Sequence, residues 1–326
     1  RALNEPIAYH RSIGYGGLRT REEVVTELET IKWEREQGLT IMPVIVADSA
    51  PFLEELAGAY DGLYEIQSQK EILHLLDTTH VEYIAAKPED FGVINSALLC
   101  EKLLQHFEVT YPDRFSCFEN THVSKIVLHN NAALLDAGAH TVESSRVILC
   151  TNGFEDTTIF NTTGLDIDTK FHHLVSGVIG FMSAYVDDSD REPGAHWYTM
   201  PYEALAINDK DEDYKSIDPF IYTSRRPHKS GKSLVAIGGP ELHLEDRAHY
   251  DRAMEYPKHI SERFSAAVKT LRNEAFATKE GMYEWHGLMG YTPTGVRVVG
   301  AEPKNPILMY NLGCNGIGIL PSIAGG

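Results

Sequence analysis

Residues 306–326 read PILMYNLGCNGIGILPSIAGG. The apolar run Pro306–Tyr310 predicts a strand, and Gly313, Gly316 and Gly318 predict a tight turn that opens a helix. Glycine at such a turn permits positive φ and lets a ligand approach the backbone closely. The first N–H groups of a helix lack intrahelical acceptors, so they point at an electron-rich partner. No other stretch of the chain reads so directly as a cofactor seat.

Working outward, the 326 residues are 43% hydrophobic, enough for a large core and about two domains. A net charge of −18 without a Lys/Arg cluster argues against nucleic acid and anionic membranes as partners. No run of about eighteen apolar residues is present, so no membrane span is expected. Cys100, Cys117, Cys150 and Cys314 match no zinc or disulfide spacing, which fits a reducing cytoplasm. Cys100 and Cys150 sit in apolar runs and are expected to pack as small hydrophobes.

A first helix is predicted over 20–37, with a Thr20/Glu23 capping box, Val24, Leu28 and Ile31 on one face, and Gly38 as its stop. A Leu-rich helix starts near Asn95, and a third spans roughly 258–272. Strands are expected at Ile41–Val46, Val123–Leu128, Arg146–Thr151, Leu174–Tyr185, Phe220–Ser224, Ser233–Ile237, Val296–Gly300 and Ile307–Asn311, with Asn208–Asp213 as a polar surface loop. Strand–helix units at both ends flank a strand-rich middle, which predicts an α/β domain interrupted by a mostly antiparallel one. Adjacent His172 and His173 on a strand would point to opposite faces, and neither they nor His243 and His249 are expected to form a metal site.

Three further segments end strands in small residues: Arg146–Phe154, Arg225–Gly239 and Trp285–Pro303. Each alone is a turn. Taken in order with Val123–Ile126, Glu89–Asn95 and Ile307–Gly325, they resemble the flavin-dependent D-amino-acid oxidase family, which includes glycine and sarcosine oxidases. The resemblance covers about residues 80–326. It implies an α/β (α+β) fold: a Rossmann-like FAD-binding domain at 1–40, 80–165 and 280–326, and a substrate domain at 41–79 and 166–279. The family's opening G-x-G-x-x-G, which seats the FAD pyrophosphate, does not occur in these 326 residues. Ser12, Gly16 and Gly17 instead look like the later glycine-bearing loop that faces the flavin. The first βα unit is therefore expected to lie before Arg1, and this chain alone is expected to bind FAD weakly or not at all and to be inactive.

The resemblance places the backbone of Val123 at the adenine and Thr151, Asn152 and Gly153 along the ADP portion. It places the N–H groups of Gly313, Cys314, Asn315, Gly316, Ile317 and Gly318 at the flavin pyrimidine ring, where they would stabilise the negative charge of the reduced ring. Cys314 reads either as an activated thiol, even a flavin attachment point, or as a small residue filling a turn. Family members often grip a substrate carboxylate with an Arg where this chain has Met289; Arg226 is a candidate replacement. Tyr291 and Tyr222 are the aromatic candidates for the substrate side. The implied reaction is oxidation of the C–N bond of a small amine or amino acid, with hydride passing to FAD and then electrons to oxygen or another acceptor. The rivals are a flavin dehydrogenase acting on a C–O bond or feeding a quinone or protein acceptor, and a catalytically silent binding domain.

Overall fold

A computed structural model describes residues 9–152, 157–188, 191–199, 220–228, 230–244, 250–251, 253–256, 258–272, 282–319 and 322. In chain order the elements are β1 (Tyr9–Leu18), α1 (Arg21–Glu36), β2 (Val44–Ala47), α2 (Leu53–Leu56), β3 (Tyr64–Gln67), α3 (Gln69–Leu75), β4 (Ala85–Ile94) and α4 (Ser96–Thr110). Then follow β5 (Lys125–Leu128), β6 (Ala133–Ala137), β7 (His140–Ser144), β8 (Val147–Leu149), β9 (Thr158–Asn161), α5 (Asp168–His172), β10 (Ser176–Asp187) and β11 (Gly194–Thr199). The last are β12 (Phe220–Pro227), β13 (Ser233–Leu244), α6 (Lys258–Arg272), β14 (Tyr283–Tyr291), β15 (Val298–Ala301) and β16 (Leu308–Leu312).

The helix readings rest on caps that the structure shows. Thr20 Oγ1 accepts from Glu23 N and the Glu23 carboxylate returns to the Thr20 N–H, so the capping box closes both orphan donors. Val24, Leu28 and Ile31 are fully buried. Asn95 caps α4 through Leu98 N. That helix has no buried residue, so Cys100 is exposed rather than packed in a core, and Cys150, at the end of β8, is exposed as well.

Nine strands form one sheet in the order β14-β10-β13-β12-β11-β1-β4-β2-β3. One side of it packs on α6, with Phe181, Tyr185, Tyr198, Ile221, Ile237 and Phe264 buried there. A separate core around α1 fills its β2–β4 end. Two smaller sheets, β15-β16-β8 and β7-β6-β5-β9, share a third core that includes Ile126, Leu149, Ile159, Leu308 and Leu312.

Two readings are corrected by this topology. Ser12, Gly16 and Gly17 are not a loop: they lie in β1, whose backbone pairs with β4 on one side and β11 on the other. Strand β1, helix α1 and strand β4 therefore go with the nine-stranded sheet, not with the C-terminal segment as the 1–40 and 80–165 boundaries had it. Strand β14, placed at 280–326 with the same segment, also belongs to that sheet. Pairing joins residues far apart in sequence, and a local glycine pattern carries no information about it. His172 closes the short helix α5 and His173 caps it, so neither lies on a strand. Gly153, His249 and the acidic stretch 208–213 lie outside the described residues. Among the described residues no helix is long and apolar enough to cross a membrane.

Candidate active site

The side of the large sheet opposite α6 is paved with glycine. Successive partners across it are Gly16, Trp197, Tyr222, Gly238, Met182 and Trp285, on β1, β11, β12, β13, β10 and β14. Side chains alternate faces along each strand, so this row shares one face. A Cβ at Gly16 would run into the Trp197 indole, and one at Gly238 into the Tyr222 ring. The glycines let those rings lie flat on the sheet.

Strand β13 changes register within this face. Met182 opposes Gly238 and Gly180 opposes Glu241, so Gly239 and Pro240 stand against Phe181 alone. Gly239 takes φ +94, as a glycine-opened bulge requires. The bulge resets the alternation and brings Gly238 and Glu241 to the same side. There Tyr291 Oη donates to Glu241 Oε2 at 2.8 Å, and Tyr222 Oη donates to Met182 Sδ at 2.7 Å. Burial, then the Glu241 charge, pushes the Tyr222 phenol up to about 12. Burial, then the charge and hydrogen bond of Glu241, pushes Tyr291 well above the usual phenol range. Both phenols are neutral donors at physiological pH.

The C-terminal turn closes over this cluster. Gly313, Asn315 and Gly316 take φ +74, +49 and +76. Cys314 N donates to Asn152 Oδ1 at 3.0 Å, Asn315 N to Gly290 O at 2.9 Å and Ile317 N to Cys314 O at 3.0 Å. The Asn315 side chain braces the turn from within, accepting from Thr292 N at 2.8 Å and donating to Gly295 O at 2.9 Å. Among the described residues the N–H groups of Gly313, Gly316 and Gly318 have no protein acceptor. A Cβ on Gly316 would stand 2.5 Å from Tyr291 Oη, so only glycine lets the turn and the tyrosine meet.

The structure thus brings Tyr222, Tyr291, Asn152 and residues 313–318 together. Of the six N–H groups in 313–318, those of Cys314, Asn315 and Ile317 are satisfied internally and support the turn. Arg297 lies behind it, with Nη1 3.7 Å from Cys314 Sγ and Nη2 3.0 Å from Ser322 Oγ. Thr151 is exposed beside Asn152, and the Val123 carbonyl accepts from Thr157 Oγ1 at 2.7 Å.

Other candidates lie apart. Arg226 is four residues beyond Tyr222 on β12, roughly 13 Å along the strand, and lines a separate cleft of 270 Å³ with His10, Asn95, Leu98 and Pro227. Ser12 Oγ is bonded to Pro193 O, and Gly16 and Gly17 are covered by Trp197 and Tyr83. Hence β1 is no donor turn. Sequence reasoning missed Glu241 and Trp197. The Gly238-Gly239-Pro240 triplet ahead of Glu241 was a legible bulge signal. Trp197 carried no local signal.

No family model matches the sequence, and no curated protein does. Solved structures do match. Glycine oxidase from Geobacillus kaustophilus superposes with a TM-score of 0.62 at 16% identity, over 98% of this chain and 70% of that one. Iminodiacetate oxidase from Chelativorans sp. BNC1 gives 0.59 at 12% identity, over 98% and 71%. L-α-glycerophosphate oxidase from Mycoplasma pneumoniae, a structure with FAD bound, gives 0.59 at 11% identity, over 98% and 71%. The chain has the D-amino-acid-oxidase-like fold. In this fold the sheet face described above and the C-terminal turn meet at Tyr291.

Proposed function

We propose that this chain is an FAD-dependent oxidoreductase acting on the C–N bond of a small amine or amino acid. One observation carries the reading: a turn whose Gly316 and Gly318 N–H groups have no acceptor among the described residues is pressed against the Tyr291–Glu241 pair on a glycine-paved sheet. The donor set fits a flavin. Backbone N–H groups suit the carbonyl and anionic edge of a reduced isoalloxazine, and glycine leaves the approach clear. FAD bound there supplies a two-electron acceptor that takes hydride from carbon at N5.

The chain's own residues would do the rest. Gly313, Gly316 and Gly318 offer backbone donors; Cys314, Asn315 and Ile317 hold the turn; Asn152 ties it to the end of β8. Val123, Thr151 and Gly153 would line the ADP side. Tyr222, Met182, Met289 and Tyr291 would wall the substrate and exclude water, and positioning of a C–H bond in a dry site is the main catalytic need. Oxygen or another acceptor would then remove the electrons.

With no G-x-G-x-x-G in its 326 residues, the chain is expected to hold FAD weakly, so the test uses saturating FAD. Binding is read by flavin fluorescence, and bleaching of the oxidised flavin is followed without oxygen against amines, amino acids and 2-hydroxy acids. Bleaching by amines or amino acids supports the proposal. The likeness to glycerophosphate oxidase favours a C–O reading second, and bleaching by hydroxy compounds alone would establish it instead. Bound flavin that no substrate bleaches would leave only a silent binding domain.

A further inference from the structure

Two adjacent arginines on β12 have opposite surroundings. Arg225 points to the α6 side of the sheet, where it is buried and paired with Asp187 at 2.7 Å. Arg226 takes the other face, which it shares with Tyr222 and Ser224. It is partly buried, yet its guanidinium has no ion pair and no hydrogen bond among the described residues. It lines the 270 Å³ cleft with His10, His228, Leu98, Pro227 and Leu234. His10 lies on the glycine-paved face, six positions before Gly16 on β1. Ser230 N stands 3.5 Å and Ser230 Oγ 2.8 Å from His228 Nδ1, so that nitrogen accepts and Nε2 carries the proton. The chain has 47 acidic residues, and none of the described ones lines this cleft.

We propose that this cleft binds a phosphate group, as the free ion or as the end of a phosphomonoester. It lies apart from the proposed flavin site, and the inference does not rest on the amine-oxidising reading. A guanidinium taken partly out of water without an acceptor is costly, and an oxyanion supplies both the opposite charge and the missing acceptors. The planar fork matches two phosphate oxygens at once. Each imidazole then offers an N–H to a remaining oxygen. A carboxylate has only two oxygens, which the fork alone would occupy, so the two histidines find acceptors only on phosphate. Leu98, Pro227 and Leu234 give the cleft apolar walls, and poorly solvated surroundings strengthen the attraction.

The test needs no cofactor. Phosphate, methyl phosphate and acetate are titrated into the chain at constant pH and ionic strength, balanced with chloride, while histidine ring resonances are followed by NMR. His10→Asn and His228→Asn identify their own signals, and unchanged signals from the remaining histidines show that each variant is folded. Phosphate is expected to shift both signals saturably, with acetate binding at least tenfold more weakly. Arg226→Ala is expected to weaken phosphate binding at least tenfold and Arg226→Lys to restore part of it. Arg21→Ala, on the surface of α1, is expected to change nothing. No saturable response to phosphate, wild-type affinity in Arg226→Ala, or acetate binding as tightly as phosphate overturns the proposal. Methyl phosphate binding like phosphate supports the site as a seat for an ester end; its exclusion supports a seat for the free ion.

Discussion

Two glycine-rich stretches of this chain look alike as sequence and do opposite things as structure. Gly14, Gly16 and Gly17 lie in an extended strand whose backbone is paired on both edges, and their missing side chains make room for Trp197 and Tyr83. Gly313 and Gly316 lie in a turn at φ +74 and +76, and the N–H groups of Gly316 and Gly318 have no acceptor among the described residues. In the first, glycine is chosen for what lies above it. In the second it is chosen both for the backbone angle and for what lies above. Locally both stretches read as flavin-facing; among the described residues the second keeps N–H groups without a protein acceptor.

Substitution with rescue separates the two kinds of glycine. Gly16→Ala drives a methyl into the Trp197 ring and is expected to cost about 1–3 kcal/mol by overpacking, read as a lower urea midpoint. Adding Trp197→Leu should restore most of that loss, since the backbone at 16 tolerates any residue. Gly316→Ala is expected to cost about 1–2 kcal/mol from its left-handed backbone alone, and more from contact with Tyr291 Oη. Here Tyr291→Phe should restore only part, because the angle is unchanged. Full rescue at 316, or none at 16, would erase the contrast drawn above.

The brace of the turn comes next. Asn315→Ala removes the acceptor for Thr292 N and the donor to Gly295 O, and loses a residue that tolerates φ +49. A loss of about 1–2 kcal/mol is expected, measured in the same unfolding titration, with Asn315→Asp keeping the acceptor and losing less.

A smaller effect is expected in alkali. Tyr222 has its folded phenol at about 12, above its ordinary value of 10.0. Between those values the unfolded chain sheds the proton and the folded one keeps it, so stability should fall as pH rises from 10 to 12. Tyr222→Phe should flatten that decline in unfolding experiments; an unchanged slope would mean the phenol is not buried as described.

The least effect is expected from Arg226→Ala. Arg226 lies in its own cleft away from Tyr222, so stability should change by less than about 0.5 kcal/mol in the same unfolding titration, and bleaching of the FAD-saturated chain by amines should not change. A large loss of bleaching would draw that residue back into the site.

Much of this was legible locally. The capping box at Thr20, the Asn95 cap, the helix at 258–272 and the strand–turn at 307–318 are written in neighbouring residues and appear as expected. The order of the small-residue strand ends was enough to suggest the fold that the structural likeness then showed. Strand β1 was misread because glycine in a paired strand and glycine in a loop give the same letters. Glu241 was passed over because a lone acid after a strand carries no chemistry until its neighbours are known.

What the sequence by itself determined is the helices at 21–36, 96–110 and 258–272 with the Thr20 and Asn95 caps, several of the strands and the left-handed turn at the end, since each follows from contacts within a few positions along the chain. Which strands pair, which face each residue takes and which acid meets which phenol were decided by the tertiary structure alone. Glu241 and Tyr291 are separated by 50 residues and meet because one bulge on β13 shifts the register beside β10 and β14. Register is a property of the whole sheet: it is set by the hydrogen-bond ladder and the buried face together, and no short window of residues contains it.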